Sequence, residues 1–147
     1  MHRQVLPYIV IAVVLAITAP ATATRGDESA TVIASKQAVF TREQAARGRE
    51  QYQANCSTCH MEDLAGGGPA LPLAGDVFMS RWSNQTVYDL YQRIRTTMPQ
   101  SAPATLKDPV YLDIVAFILR ANNFPVGSAE LPKDAATLSK TLMSAGY

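Results

Sequence analysis

Cys56-Ser57-Thr58-Cys59-His60 is the most telling pentapeptide of the chain. Its C-x-x-C-H spacing is that of a covalent attachment site for c-type haem. Two thiols three positions apart can each add across a vinyl group of one porphyrin, and the residue that follows then brings an imidazole beneath the iron. Zinc is a poor rival. A tetrahedral site takes four Cys or His ligands, and outside this pentapeptide the chain has no Cys and only His2. A thioredoxin-type dithiol belongs in a βαβ pattern, which is absent around Cys56, and it would leave His60 unexplained.

The amino end agrees with that reading. His2 and Arg3 precede an apolar run from Val5 to Ile17 broken only by Pro7, and Ala21-Thr22-Ala23 fits an A-x-A cleavage site. The run is short for a membrane span, which takes ~20 residues. Residues 1–23 are therefore expected to be a signal peptide cleaved after Ala23, and not a retained anchor. Haem of the c type is joined to protein after translocation, so leader and motif both indicate an exported chain. Two Cys in such a chain would ordinarily suggest a disulfide, but the adjoining His60 makes haem the better account.

Cleavage leaves 124 residues, one ordinary domain. Arg3 is the only charged residue lost, so 12 Lys plus Arg face 12 Asp plus Glu. That balance carries no electrostatic footprint for nucleic acid or an anionic membrane.

Thr24 to Phe40 lacks a helical stripe and reads as a flexible lead-in, residues 24–40. Thr41 with Gln44 forms a capping box, and a helix is expected to about Asn55 with Ala45, Gly48 and Tyr52 on one face. Glu62 to Asp76, with Gly66-Gly67-Gly68-Pro69 and Pro72, is loop. Thr86 caps a second helix striped with Val87, Leu90, Tyr91 and Ile94, which Pro99 ends. Asp108-Pro109 opens a third, strongly apolar helix to about Arg120, and Asn122, Asn123 and Pro125 stop it. The domain is expected over 41–126 and a tail over 127–147, where only Ala135, Leu138 and Leu142 fall at helical spacing. No segment alternates with period two, so the class is all-α.

His60 fills one axial position of the iron. With the leader gone no second His remains, so bis-histidine ligation is excluded by counting. Met61 adjoins His60 and cannot reach the opposite porphyrin face. Met79 and Met143 read as core filler. Met98 lies 38 residues beyond His60, in a loop behind a helix and stiffened by Pro99, and is the expected second ligand. Trp82, the only tryptophan, needs an acceptor for its indole N–H if buried, and a haem propionate is a natural one.

Taken together, these residues resemble class I cytochromes c, from about Thr41 to Asn123. The resemblance implies a cytochrome c fold: three main helices and loops wrapped around one haem, the N- and C-terminal helices crossing at Gly48, Tyr52, Ile114 and Phe117. It matches the family's Gly-Pro-x-Leu to Gly68-Pro69-Ala70-Leu71, and so implies that the Pro69 carbonyl accepts the Nδ1–H of His60. It matches the propionate-binding Trp and its capping Thr to Trp82 and Thr86, and the ligand loop to Thr97-Met98-Pro99. Met61 departs from it, standing where the family has glycine. The stretch Thr97-Met98-Pro99 together with Tyr111 to Phe117 looks most like bacterial cytochromes linked to periplasmic dehydrogenases.

The implied function is a periplasmic electron carrier, not an enzyme in its own right. It would hold one covalent haem c, with Cys56, Cys59, His60, Pro69, Trp82 and Met98 binding the cofactor and His60 and Met98 its iron. Its partners would be redox proteins, a periplasmic dehydrogenase as donor and an oxidase or another cytochrome as acceptor, with no nucleic acid and no membrane once the leader is cleaved. The alternative keeps the haem but makes the chain a permanent subunit of a dehydrogenase or oxidase complex, docked by its tail and lead-in. A sensor or peroxidase would require Met98 not to bind.

Overall fold

The computed structural model describes residues 33–34 and 39–143. The expected leader over residues 1–23 lies outside the described residues, as does most of the lead-in. In chain order the elements are β1 (Ile33–Ala34), α1 (Arg42–Asn55), α2 (Ser57–His60), α3 (Asp76–Trp82), β2 (Gln85–Thr86), α4 (Val87–Thr97), α5 (Asp108–Ala121), α6 (Ala135–Leu138) and β3 (Thr141–Met143).

Thr41 opens α1 by accepting the Gln44 N–H at 3.0 Å. The other half of the expected capping box does not form. Gln44 turns inward, is buried, and its Oε1 accepts the Leu131 N–H at 2.8 Å. That backbone donor would otherwise be buried without a partner, so the tail takes the side chain from the cap. At Thr86 the box is complete: its hydroxyl accepts the Asp89 N–H at 3.1 Å, and the Asp89 carboxylate accepts the Thr86 N–H at 2.8 Å. The stripe Val87, Leu90, Tyr91 and Ile94 is buried as its spacing predicts.

α1 and α5 cross, and the sequence places a glycine where they meet. A Cβ added at Gly48 would stand 1.8 Å from the carbonyl oxygen of Asp113. Beside it Tyr52 and Phe117 pack with ring centroids 5.2 Å apart and planes inclined by 50°, and Ile114 is buried. Arg47 forks onto both Asp113 oxygens at 3.0 and 2.9 Å and reaches Glu130 at 2.9 Å, clipping α1 to α5 and to the tail.

Two features depart from the sequence reading. α3 begins at Gly75 with no side-chain cap, and two turns are too short to hold themselves as helix. Burial of Phe78 and Trp82, four residues apart, sustains it. Met79 thus lies within a helix. The tail is also not an arm. Leu131, Leu138 and Met143 are buried in the same core as Phe40 and α5. Beyond α6, β3 lies between β1, with which it runs parallel, and β2, with which it runs antiparallel. Ile33 pairs with Thr141, and Thr86 with Leu142. In β3 Thr141 and Met143 are buried around half-buried Leu142, an alternation too short to read from the sequence. This small sheet is the only addition to an all-α frame among the described residues.

Candidate functional site

α1 ends where the motif begins. The Cys56 N–H donates to the Tyr52 carbonyl at 2.8 Å, and the His60 N–H donates back to the Cys56 carbonyl at 2.9 Å. One turn therefore carries both thiols and the imidazole. Cys56 is half-buried against the core, Cys59 is exposed, and the two are not joined in a disulfide. Burial pushes the Cys56 thiol up to about 11. A dithiol redox centre wants a thiolate close to neutrality, which buried Cys56 does not offer.

The His60 Nδ1 lies 2.9 Å from the carbonyl oxygen of Leu71. A carbonyl can only accept, so Nδ1 carries the hydrogen and Nε2 keeps a lone pair for a metal. The resemblance implies Pro69 for this bond; in the structure the acceptor is Leu71, and Pro69 is exposed. A turn closed by the Ala70 N–H on the Gly67 carbonyl at 3.0 Å carries Pro69 outward, and the chain returns to the ring two residues later. The bend needs glycine at 66, where φ is +77° and a Cβ would stand 2.4 Å from the Ala70 oxygen.

Asn122 anchors this loop from the end of α5. Its Oδ1 accepts the Gly75 N–H at 3.0 Å, and its Nδ2 donates to the Leu73 and Ile118 carbonyls, each at 2.9 Å. Sequence reading sees Asn122 only as a helix terminator. The side chain is buried, which a carboxamide at the foot of an apolar helix hints at but does not declare.

Met61 closes α2 at φ 63° and ψ 160°, a region that suits glycine and little else. The Tyr52 hydroxyl holds it there by donating to the Met61 carbonyl at 2.7 Å. The conformation explains why glycine stands at this place in the resembling family. Met61→Gly is expected to stabilise the protein by about 1 kcal/mol, strain relief of roughly 1–3 kcal/mol outweighing the added chain entropy of glycine. The urea midpoint should rise; a fall would show that Met61 packing outweighs the strain.

Met98 caps the end of α4, its N–H donating to the Ile94 carbonyl at 2.9 Å, and it packs half-buried on the core that Cys56 also borders. Its own carbonyl accepts the Tyr111 hydroxyl at 2.8 Å. Met79 is half-buried and Met143 fully buried. Trp82 is buried beside Phe78, ring centroids 6.1 Å apart. This donor set fits a covalent haem. It offers two free thiols and an oriented imidazole on one turn, a thioether from the far side of the sequence, and an indole donor of the kind a propionate takes.

No other cluster competes with it. Among the described residues no group of three or more His, Cys, Asp and Glu is placed to hold a metal ion, and no helix is long and apolar enough to cross a membrane. A groove of about 350 Å³ between α1, α5 and residues 130–133 contains none of the motif residues. Its Arg47, Asp113 and Glu130 are already paired with one another.

Comparison with known proteins points the same way. No curated protein matches the sequence. The fold is similar to that of a chain in the crystal structure of the sulfane dehydrogenase SoxCD from Paracoccus pantotrophus, with a TM-score of 0.55 and 20% identity over 72% of this chain. The chain spans 60% of the length of that relative. The family described as cytochrome c oxidase, cbb3-type, subunit III matches residues 43–118, more than half of the sequence. That match takes in most of both crossing helices, the haem motif and Met98, and the chain belongs to this cytochrome c family.

Proposed function

We propose that the protein is a periplasmic electron carrier holding a single haem c, bound by Cys56 and Cys59 through thioethers and by His60 and Met98 at the iron. The observation that carries this is the His60 bond to Leu71, which fixes the tautomer and leaves Nε2 to ligate. When bound, the haem supplies a one-electron Fe(III)/Fe(II) couple.

The chain sets the conditions for that couple. Leu71 holds the imidazole in one orientation in both redox states, so little rearrangement accompanies a change of charge. A Met98 thioether at the iron would favour the less charged ferrous form, raising the potential. The Trp82 indole offers its N–H to a propionate. The proposed organisation is a signal peptide over residues 1–23 cleaved after Ala23, a lead-in to residue 40, the haem domain over 41–126 and the tail 127–147. It turns over no substrate of its own, and redox proteins are its partners.

Acid-acetone extraction of the denatured protein should leave the haem on the chain, with a mass equal to residues 24–147 plus one haem. Haem passing to the organic phase would reject covalent attachment, and two haems per chain would reject the single site.

A second reading, permanent membership of a dehydrogenase or oxidase complex, is favoured by two of the similarities. The matching family is an oxidase subunit, and the similar fold lies in a sulfane dehydrogenase. Tail residues Leu131, Leu138 and Met143 are spent on the chain's own core, which argues against the tail as its docking arm. Native co-purification separates the two readings: a free carrier elutes alone.

A further inference from the structure

We propose that Tyr111 is a positioning residue, whose hydroxyl holds the Met98 loop closed and thereby sets how readily the Met98 thioether yields its place on the iron. The inference rests on the reading of Met98 as a ligand.

The Tyr111 side chain, on the first turn of α5, is buried. Its hydroxyl donates to the Met98 carbonyl at 2.8 Å and accepts the Leu106 N–H at 3.3 Å. One oxygen thus ties together the two ends of the loop from Met98 to Leu106. The loop's other bonds are local. The Ala102 N–H reaches the Pro99 carbonyl at 2.9 Å, and the Thr105 hydroxyl reaches the Ala102 carbonyl at 2.8 Å. Pro99 and Pro103 have no N–H to give. At the base of the loop Arg95 meets Asp108 at 2.7 Å, joining α4 to α5, but both side chains are substantially exposed, and such pairs contribute little. Among the described residues, Tyr111 is the buried side chain that hydrogen-bonds the backbone at both ends of this loop, while buried Tyr91 adds its hydroxyl to the Arg95–Asp108 pair at the base.

The ties present only in the closed loop set its opening equilibrium. An external ligand competing with Met98 binds the open form, so its apparent affinity rises with the open fraction. Tyr111→Phe removes the hydroxyl while keeping the ring.

The test is imidazole titration of the ferric holoprotein, followed through the sulfur-to-iron charge-transfer band at the red edge of the visible spectrum. Tyr111→Phe should bind imidazole roughly fivefold more tightly than wild type, the effect of one net hydrogen bond. Gln44→Leu is the comparison, since it removes a buried bond that does not touch the loop from Met98 to Leu106. It should lower the unfolding midpoint but leave imidazole affinity within about twofold, below the loss of one typical hydrogen bond. Unchanged affinity in Tyr111→Phe overturns the proposal, and so does an equal rise in Gln44→Leu, which would mean general loosening. If Tyr111→Phe yields no folded holoprotein, 3-fluorotyrosine at position 111 nearly keeps the shape and strengthens the 2.8 Å bond donated to Met98, which outweighs the weakened, longer bond accepted from Leu106 at 3.3 Å. Imidazole affinity should then fall, and a rise or no change overturns the proposal. A wild type without the band, or a Met98→Ala variant that retains it, overturns the ligand assignment and this inference with it.

Discussion

Gly48→Ala is expected to prevent the native crossing of α1 and α5. The added methyl carbon would lie 1.8 Å from the Asp113 carbonyl oxygen and 2.5 Å from its carbon. Both are backbone atoms in the middle of a helix, so no rotamer change relieves the contact. The helices would have to separate, loosening the Tyr52–Phe117 packing and the Arg47 fork onto Asp113. Destabilisation should exceed about 3 kcal/mol, the upper part of the range for overpacked cores, out of a total stability of about 5–15 kcal/mol. Urea unfolding of purified holoprotein measures it, and low holoprotein yield would be its first sign. A change within ~0.5 kcal/mol, the level of a neutral surface substitution, would show that the helices do not meet at Gly48.

Met98→Ala should have the largest effect on the iron. The ferric charge-transfer band should disappear, carbon monoxide and imidazole should bind readily, and the potential should fall with loss of the thioether. Met79→Leu and Met143→Leu should leave the band in place, because Met79 packs along α3 and Met143 is buried in β3. Should Met79→Leu remove the band instead, α3 and not the end of α4 would carry the ligand. A wild type already five-coordinate would favour a ligand-binding sensor over a carrier.

What the sequence discloses here follows from how local each signal is. The haem turn, the Thr86 box, the Pro99 stop and the glycine at the crossing are written in residues within a few positions of one another. So are the α1 and α5 stripes. α3 is not legible in this way, because its cap is a bare glycine and its support comes from Phe78 and Trp82 packing into distant residues. The Gln44 side chain reads as a cap and is not one, because its partner lies 87 residues away. Leu71 replaces Pro69 for a different reason: a backbone carbonyl has no residue-type signature, and a tight turn moves the acceptor by two positions. In the sequence Tyr111 is one more apolar residue of α5. Only its hydroxyl geometry separates it from its neighbours.

Because α1 and α5 stand at opposite ends of the domain, the core closes late in the life of the chain. Arg47 must find Asp113 across 66 residues, and Gln44 must find Leu131 across 87. Contacts of such long range form slowly, since loop closure must precede the packing that rewards it. A chain emerging amino end first releases Cys56 and Cys59 well before α5 exists to cover the face of α1. For that interval both thiols hang on an unpacked segment, open to the porphyrin that the proposed thioethers would bind.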